Sequence, residues 1–276
     1  IVNEGFRVES HSVTHVGDPV REDGWPGPEW EAWESKKAIE QNLLDYQVRL
    51  FVYPGAALKP FQVSSNWRDN LTDYYLGARG FSGSPISPAN QIDYFDIRTT
   101  ANPGPFIDTP DTANDWTRKN QYSQILNPSP DNPNYRGWAS VFTHYLGMKE
   151  GEDLATSEKP YFQALAKLFT FFNDNRKDIW IGTLGDIASY GQQRDTATLK
   201  TIESSQTRIV LELTSLMDPT LFNYPLTIKV RISDAWKSCR AKQDNQLIPV
   251  SVLNHEGVRY ALVKARPNRG PVTLAQ

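Results

Sequence analysis

The sequence predicts an α/β protein whose main domain is a (β/α) barrel, followed by a small antiparallel β-sandwich. Up to Arg194, strand-like and helix-like segments alternate, as parallel strands joined by helical crossovers require. Beyond about Ser205, short runs alternate apolar and polar residues without helical periodicity, which is typical of antiparallel strands. A chain of 276 residues can bury one large core, or one large and one small domain. The change of pattern after Arg194 predicts domains at residues 1–200 and 201–276.

The predicted elements follow one another in a regular order. Strands of the barrel are predicted at 6–10, 47–53, 75–81, 92–97, 137–144 and 179–183. Helices are predicted where apolar residues recur at helical spacing, at 30–44, 66–75, 160–172 and 184–193. The sandwich is predicted from the runs 209–213, 226–232, 248–252 and 260–263. Residues 102–134, rich in Pro, Asn and Asp, are predicted to form a long functional loop.

Composition narrows the range of partners. A net charge of -3 provides no broad positive field, which argues against nucleic acid as the main partner. The chain has no apolar run of about 18 residues, so no membrane span is expected. An aromatic share of 12%, with eight Trp, suits stacking on sugar rings. Because Ile1 opens what reads as the tail of a helix, we expect a preceding segment.

Two histidines stand out by their spacing. The chain contains four histidines, and His11 and His15 lie four residues apart directly after an apolar run. Imidazole nitrogen is a preferred ligand of zinc, and two ligands on one tight turn can reach the same ion. The pair therefore predicts half of a divalent metal site, with a third ligand supplied from elsewhere. The alternative is that one histidine packs or caps the next helix while the other is solvated.

Three short motifs resemble those of a known enzyme family. Residues 11–15 (HSVTH) match the pattern H-[ST]-x-x-H, and residues 51–56 (FVYPGA) resemble a strand-end motif of the Arg-x-Pro-Tyr type. The late histidine motif of the family is similar to residues 141–144. Residues 1–194 thus resemble the polysaccharide deacetylases, carbohydrate esterase family 4. Val52 stands where many members have Arg, which is a departure from the family pattern.

The resemblance implies a fold, a cofactor and a reaction. The fold is a distorted (β/α) barrel of the polysaccharide deacetylase type, carrying a divalent metal, most often zinc, held by His11 and His15. The implied reaction removes N- or O-linked acetyl groups from a polysaccharide or oligosaccharide, in an extracellular or periplasmic enzyme. The backbone N–H of Gly55 would help to stabilise the oxyanion, and His144 would act as general acid.

The substrate is expected to contact residues beside the metal. The strand-end motif implies that Tyr53 and Pro54 bind substrate. Trp25, in a Pro/Gly-rich loop near His15, is the candidate platform for a sugar ring.

The first family motif, T-F-D-D, is missing from the chain. Its aspartates would come from a preceding segment or from another chain. Asp18, Asp23, Asp93 and Asp96 are assigned no ligand role, because loop aspartates more often form turns or remain solvated. Two alternatives stay open: a non-catalytic carbohydrate-binding protein on a degenerate barrel, and a cyclic-amide hydrolase of the same superfamily.

Overall fold

The computed structural model describes residues 2, 5–15, 24–54, 65–80, 86–101, 122–142 and 159–276. It divides into two compact units, Ile1–Leu184 and Gly185–Gln276. Within the described residues, the strands form several small sheets, and no helix there has the length and apolar character needed to cross a membrane.

The described part of the first unit includes the α-helices α1 at Pro28–Asn42, α2 at Ser65–Leu71 and α3 at Lys159–Asp174. Helix α1 begins at a proline, whose fixed φ suits the first helical turn and whose missing N–H is not needed there. Glu29 and Glu31 follow in that first turn, where negative charge complements the helix dipole. After Asn42 the chain turns extended at Leu43, whose N–H still donates to the carbonyl of Ile39.

A short parallel sheet packs with α1 and α2. Strand β1, Leu50–Val52, pairs in parallel with strand β2, Gly77–Arg79, and α2 lies between them in sequence. Single parallel bridges extend the sheet on either side, from Ser10 to Phe51 and from Arg79 to Ile97. Four backbone segments therefore run side by side, and the chain leaves Ser10 toward the histidine turn at the carboxyl end of the sheet.

The predicted barrel is wrong. Strands β3 (Ile86–Ser87) and β5 (Trp138–Ala139) pair antiparallel, and β4 (Thr100–Ala101) and β6 (Val141–Phe142) form a separate parallel pair. A barrel requires every strand to pair on both sides in one closed, staggered sheet. The described strands of this unit have two or three residues each and lie in separate sheets, so no closed barrel forms among them.

The strands predicted at 92–97 and 179–183 do not form. The first segment contains a turn and a single bridge at Ile97, and the second is absent for a clear reason. Residues 179–183 form no ladder, and Trp180 and Ile181 are 45% and 58% exposed. The chain turns directly after α3, where the N–H groups of Asp178 and Ile179 both donate to the carbonyl of Asn175 at 2.9 Å. An apolar run alone does not distinguish a buried strand from an exposed connection.

Aromatic rings fill the core beside the parallel sheet. Phe51 of β1 stacks on Trp67 of α2 with 5.5 Å between ring centroids, and its ring lies 5.4 Å from that of Tyr75. Leu71 and Ala78 complete the centre of this cluster, and neither is exposed to solvent. The helix and both parallel strands are thus joined through Phe51.

The second unit begins with helix α4, Leu184–Thr196, of which Gly185 onward belongs to this unit. Its strands are β7 Thr198–Ser204, β8 Arg208–Thr214, β9 Leu226–Arg231, β10 Arg240–Gln243, β11 Gln246–Ile248, β12 Val250–His255, β13 Val258–Ala265 and β14 Val272–Ala275. They form a five-stranded sheet in the order β11-β10-β14-β8-β7 and a three-stranded sheet in the order β12-β13-β9. All of these pairings are antiparallel.

One hydrophobic core joins the two sheets of the second unit. Strand β9 buries every second residue, and Trp236 is fully buried with its indole N–H directed at the carbonyl of Gln206. Tyr190 of α4 packs against the same core, and Gln193 donates to the carbonyl of Tyr224 at 3.0 Å. Helix α4 therefore packs with the sheets, whereas the sequence-based boundary at residue 200 follows this helix.

We expect Phe51→Ala to lower the free energy of unfolding by about 3–5 kcal/mol, because it removes a large side chain from a close-packed aromatic core. Urea denaturation followed by circular dichroism measures the change. Phe169→Ala is the matched control, since Phe169 is 60% exposed and its truncation should cost less than about 0.5 kcal/mol. Equal losses in the two variants would contradict the assignment of Phe51 to the core.

Candidate functional site

The candidate site lies where the chain passes from the parallel sheet into the histidine turn. The N–H of Ser10 donates to the carbonyl of Leu50 at 3.2 Å, and the N–H of Val52 donates to the carbonyl of Ser10 at 2.8 Å. These bonds align Ser10 with β1 and deliver His11 at the carboxyl end of the strand. Loops at the carboxyl ends of parallel strands are the common place for ligand sites in α/β sheets.

The two imidazoles predicted to act together lie side by side. The ring centroids of His11 and His15 are 4.8 Å apart, with the ring planes at 84°. Nδ1 of His11 lies 2.8 Å from the carbonyl oxygen of Val52. Because a carbonyl can only accept, Nδ1 carries the proton and Nε2 bears the lone pair of the neutral ring. Histidines that bind a metal through one ring nitrogen commonly donate the other ring N–H to a backbone carbonyl in this way.

The turn that carries the histidines adopts an unusual backbone. Ser12 and His15 have φ values of 70° and 61°, in the left-handed region that residues with a Cβ rarely adopt. The side chain of Ser12 accepts a hydrogen bond of 3.1 Å from the N–H of His15, which closes the turn. Such conformations cost about 1–2 kcal/mol per residue and therefore need support from their surroundings.

Glu31 of α1 supplies that support. One carboxylate oxygen accepts from the N–H groups of Val13 and Thr14 at 2.7 and 2.9 Å. The other accepts from the hydroxyl of Thr14 and from the indole N–H of Trp25, the latter at 2.8 Å. Glu31 is fully buried. Burial by itself raises the pKa of Glu31, but the hydrogen bonds, those from Thr14 foremost, outweigh it and hold the pKa below its usual value.

The predicted substrate-binding residues Trp25, Tyr53 and Pro54 differ in how far they are buried. Trp25 is half-buried, with its indole N–H bound to Glu31 and its ring 6.4 Å from that of Trp67. Tyr53 is only 1% exposed, and its hydroxyl donates to the carbonyl of Phe95 at 2.9 Å. Burial raises the pKa of Tyr53 far above its usual value. Pro54 follows in a buried position. Tyr53 is therefore part of the hydrophobic core that packs against the parallel sheet.

The predicted catalytic residues Gly55 and His144 lie outside the described residues, so their roles stay predictions. Among the residues that are described, no three His, Cys, Asp or Glu side chains cluster as a metal site would. His11 and His15 thus form an incomplete ligand set, which needs at least one more ligand.

Of the four aspartates considered from the sequence, the structure describes Asp93 and Asp96. Arg68 donates two hydrogen bonds of 2.7 Å to the carboxylate of Asp93. Burial raises the pKa of Asp93, but these bonds outweigh it and hold the pKa below its usual value. Burial, and then the negative charge of Asp93, raise the pKa of Asp96. Asp18 and Asp23 lie outside the described residues.

Two residues of this region were missed by sequence reasoning. Glu31 could have been noticed as an acidic residue in the first turn of a helix that begins at proline. Arg79 ends β2 as the register partner of Val52, and burial lowers the pKa of its guanidinium to about 10. Arg79 thus remains protonated at neutral pH next to the strand that supports His11. No sequence signal distinguished it from a surface arginine.

Comparison with known proteins gives one informative similarity. The chain is similar to a protein named Gellan lyase from Bacillus sp., with 31% identity over 278 residues. The similarity covers 98% of this chain but 11% of the relative, so the chain spans a small part of the length of that protein. No family model matches the chain, and no solved structure matches it.

The resemblance to polysaccharide deacetylases is therefore wrong. The similarity is to a protein named as a lyase, and the described residues lack the barrel on which the deacetylase mechanism depends. The predicted metal-dependent deacetylase activity is wrong for the same reason. The two alternatives, a carbohydrate-binding protein on a degenerate barrel and a cyclic-amide hydrolase, required the same barrel and are wrong as well. A match of five residues at 11–15 is short enough to arise without common ancestry.

We expect Glu31→Gln to lower the free energy of unfolding by about 2 kcal/mol at neutral pH. The new amide N–H₂ group is itself a donor, so it cannot accept the hydrogen bonds that one carboxylate oxygen accepts now. The folded-state pKa of Glu31 is lowered, so its contribution is complete above the unfolded-state pKa of about 4.3 and is lost as the pH falls through the lowered folded-state value. Denaturant titrations of both proteins at several pH values should show the difference shrink in acid.

Glu34→Gln is the control on the same helix. Glu34 makes only a partly exposed pair with Lys37 at 3.4 Å, so its replacement should change stability by less than about 0.5 kcal/mol. A Glu31→Gln difference that stays the same at pH 7 and in acid would contradict the proposed role of the carboxylate.

Proposed function

We propose that this chain is part of a polysaccharide-degrading enzyme of the lyase type. The similarity to Gellan lyase along 98% of the chain carries the proposal. A lyase breaks its bond by elimination, so it needs a group to accept a proton and positive charge to stabilise the carbanion that results. Because a polysaccharide is met outside the cell, an extracellular location is expected.

The histidine turn supplies suitable groups for this chemistry. Nε2 of His11 bears the lone pair of the neutral ring, because Nδ1 donates to the carbonyl of Val52. The ring of His15 lies 4.8 Å away, close enough for both to act on one centre. At the end of the neighbouring strand, Arg79 contributes a fixed positive charge.

As an alternative use of the same imidazole lone pairs, a divalent metal, with zinc as the expected ion, fits this donor pair in part. A ring that binds the ion cannot also accept the proton, so the base would then come from another residue. Two imidazoles are suitable first ligands of zinc, and the hydrogen bond to Val52 orients one of them. When bound there, the ion would stabilise negative charge developing on the sugar. The remaining ligands would come from residues outside the described part of the chain, from another segment of a longer protein or from substrate.

His11→Ala and His15→Ala are each expected to weaken zinc binding by more than about 100-fold. Loss of a residue that only hydrogen-bonds to a metal ligand costs about 10–100-fold, and loss of the ligand itself should cost more. Isothermal titration with zinc measures the affinity. His255→Ala is the control, since the side chain of His255 is 57% exposed at a hairpin turn of the second unit. Unchanged zinc affinity in the two turn variants would rule out this metal site.

The reaction type is tested with gellan as substrate. Elimination leaves a carbon–carbon double bond in the product, which absorbs ultraviolet light, whereas hydrolysis yields new reducing ends without that absorbance. We expect absorbance and reducing ends to rise together, and to be lost in His11→Ala. Reducing ends without absorbance would replace the lyase by a hydrolase. If neither absorbance nor reducing ends increase, the result would refute a degradative activity of this chain on gellan.

A further inference from the structure

Two exposed tryptophans and a half-buried tyrosine form an aromatic surface on the first unit. Trp30 and Trp33 of α1 are 37% and 43% exposed, and their spacing of three residues places them on the same side of the helix. The ring of Tyr74, which follows α2, lies 5.3 Å from that of Trp33 at an angle of 41°. We refer to Trp30, Trp33 and Tyr74 as the α1 platform.

The platform is distinct from the buried side of the same helix. Helix α1 buries Glu31, Ala32, Ser35 and Lys36, so the tryptophans are not needed to attach it to the core. Single exposed apolar residues are ordinary, but neighbouring exposed aromatic rings with a polar margin are typical of binding surfaces. The α1 platform is also separate from Trp25, whose indole N–H is bound to Glu31 in the histidine turn.

The margin of the platform is acidic and offers hydrogen-bond acceptors. The hydroxyl of Tyr74 donates to the carboxylate of Glu29 at 3.2 Å. Desolvation, this bond and the negative charge of Asp73 raise the pKa of Tyr74. Glu34, on the next turn of α1, lies 3.4 Å from the ammonium of Lys37. Carboxylates accept hydrogen bonds from sugar hydroxyls but repel the carboxylate of an acidic sugar.

We propose that the α1 platform is a sugar-binding subsite for an uncharged pyranose unit of a polysaccharide. The apolar C–H face of the ring stacks on the indoles, and its hydroxyls donate to Glu29 and Asp73. This inference rests on the proposed action on polysaccharide, and it adds a site outside the histidine turn. The acidic margin selects the uncharged unit over a uronic acid.

The test is a calorimetric titration with an uncharged oligosaccharide and with a uronic-acid-containing one of the same length. Chelator keeps the protein free of metal, so that the histidine turn contributes no metal-dependent binding. We expect the uncharged ligand to bind more tightly, and Trp30→Ala or Trp33→Ala to lower its affinity by about tenfold. Trp180→Ala is the matched control, because Trp180 is 45% exposed elsewhere in the same unit. Thermal melts of all three variants show that each is folded.

The other outcomes are informative as well. Wild-type binding that survives both platform substitutions, or that favours the acidic ligand, would overturn the subsite while leaving lyase activity on gellan as a separate result. A lack of binding to both ligands would also overturn it, and the gellan assay would still decide the proposed function. A wild-type dimer that Trp33→Ala converts to a monomer, seen by sedimentation, would assign the platform to contact between copies instead.

Discussion

The carboxylate of Glu31 holds the histidine turn against helix α1, and the geometry of the candidate site depends on this interaction. Four donors from three residues converge on its two oxygens. Two of these donors are backbone N–H groups, so the bonds fix the path of the chain as well as a side chain. An unpaired carboxylate at a fully buried position would be strongly unfavourable, and its donors therefore have to stay in place.

This interaction explains how a strained turn persists at the end of a short strand. Ser12 and His15 both have positive φ values, and the bond from the N–H of His15 to Ser12 alone is a weak restraint. Ser10 fixes the turn at one side through its bridge to Phe51, while Glu31 fixes its middle. The bond between His11 and the carbonyl of Val52 then sets the orientation of the first imidazole. The three contacts join the sheet, the helix and the site into one rigid arrangement.

Sequence periodicity predicted individual elements better than their assembly. The run 226–232 was predicted as a strand because β9 buries one face, which produces strict alternation in the sequence. Helix α1 was predicted within two residues at each end. Closure of a barrel, however, depends on pairing between segments far apart in the chain, and periodicity contains no such information. The same limit applies to residues 179–183, where exposure of Trp180 and Ile181 could not be foreseen from an apolar run.

The candidate site was predictable only where it depends on local spacing. His11 and His15 lie on one turn, so their proximity follows from their separation in sequence, and their rings are 4.8 Å apart. Glu31 acts across a sequence separation of 17 and 18 residues, which no local pattern reveals. Helix α1 accounts for both the turn and the aromatic surface. Because successive residues of a helix are rotated by about 100°, Glu31 can face the turn while Trp30 and Trp33 face solvent. A one-residue shift of α1 would therefore disturb both features together, which ties the aromatic surface to the support of the histidine turn.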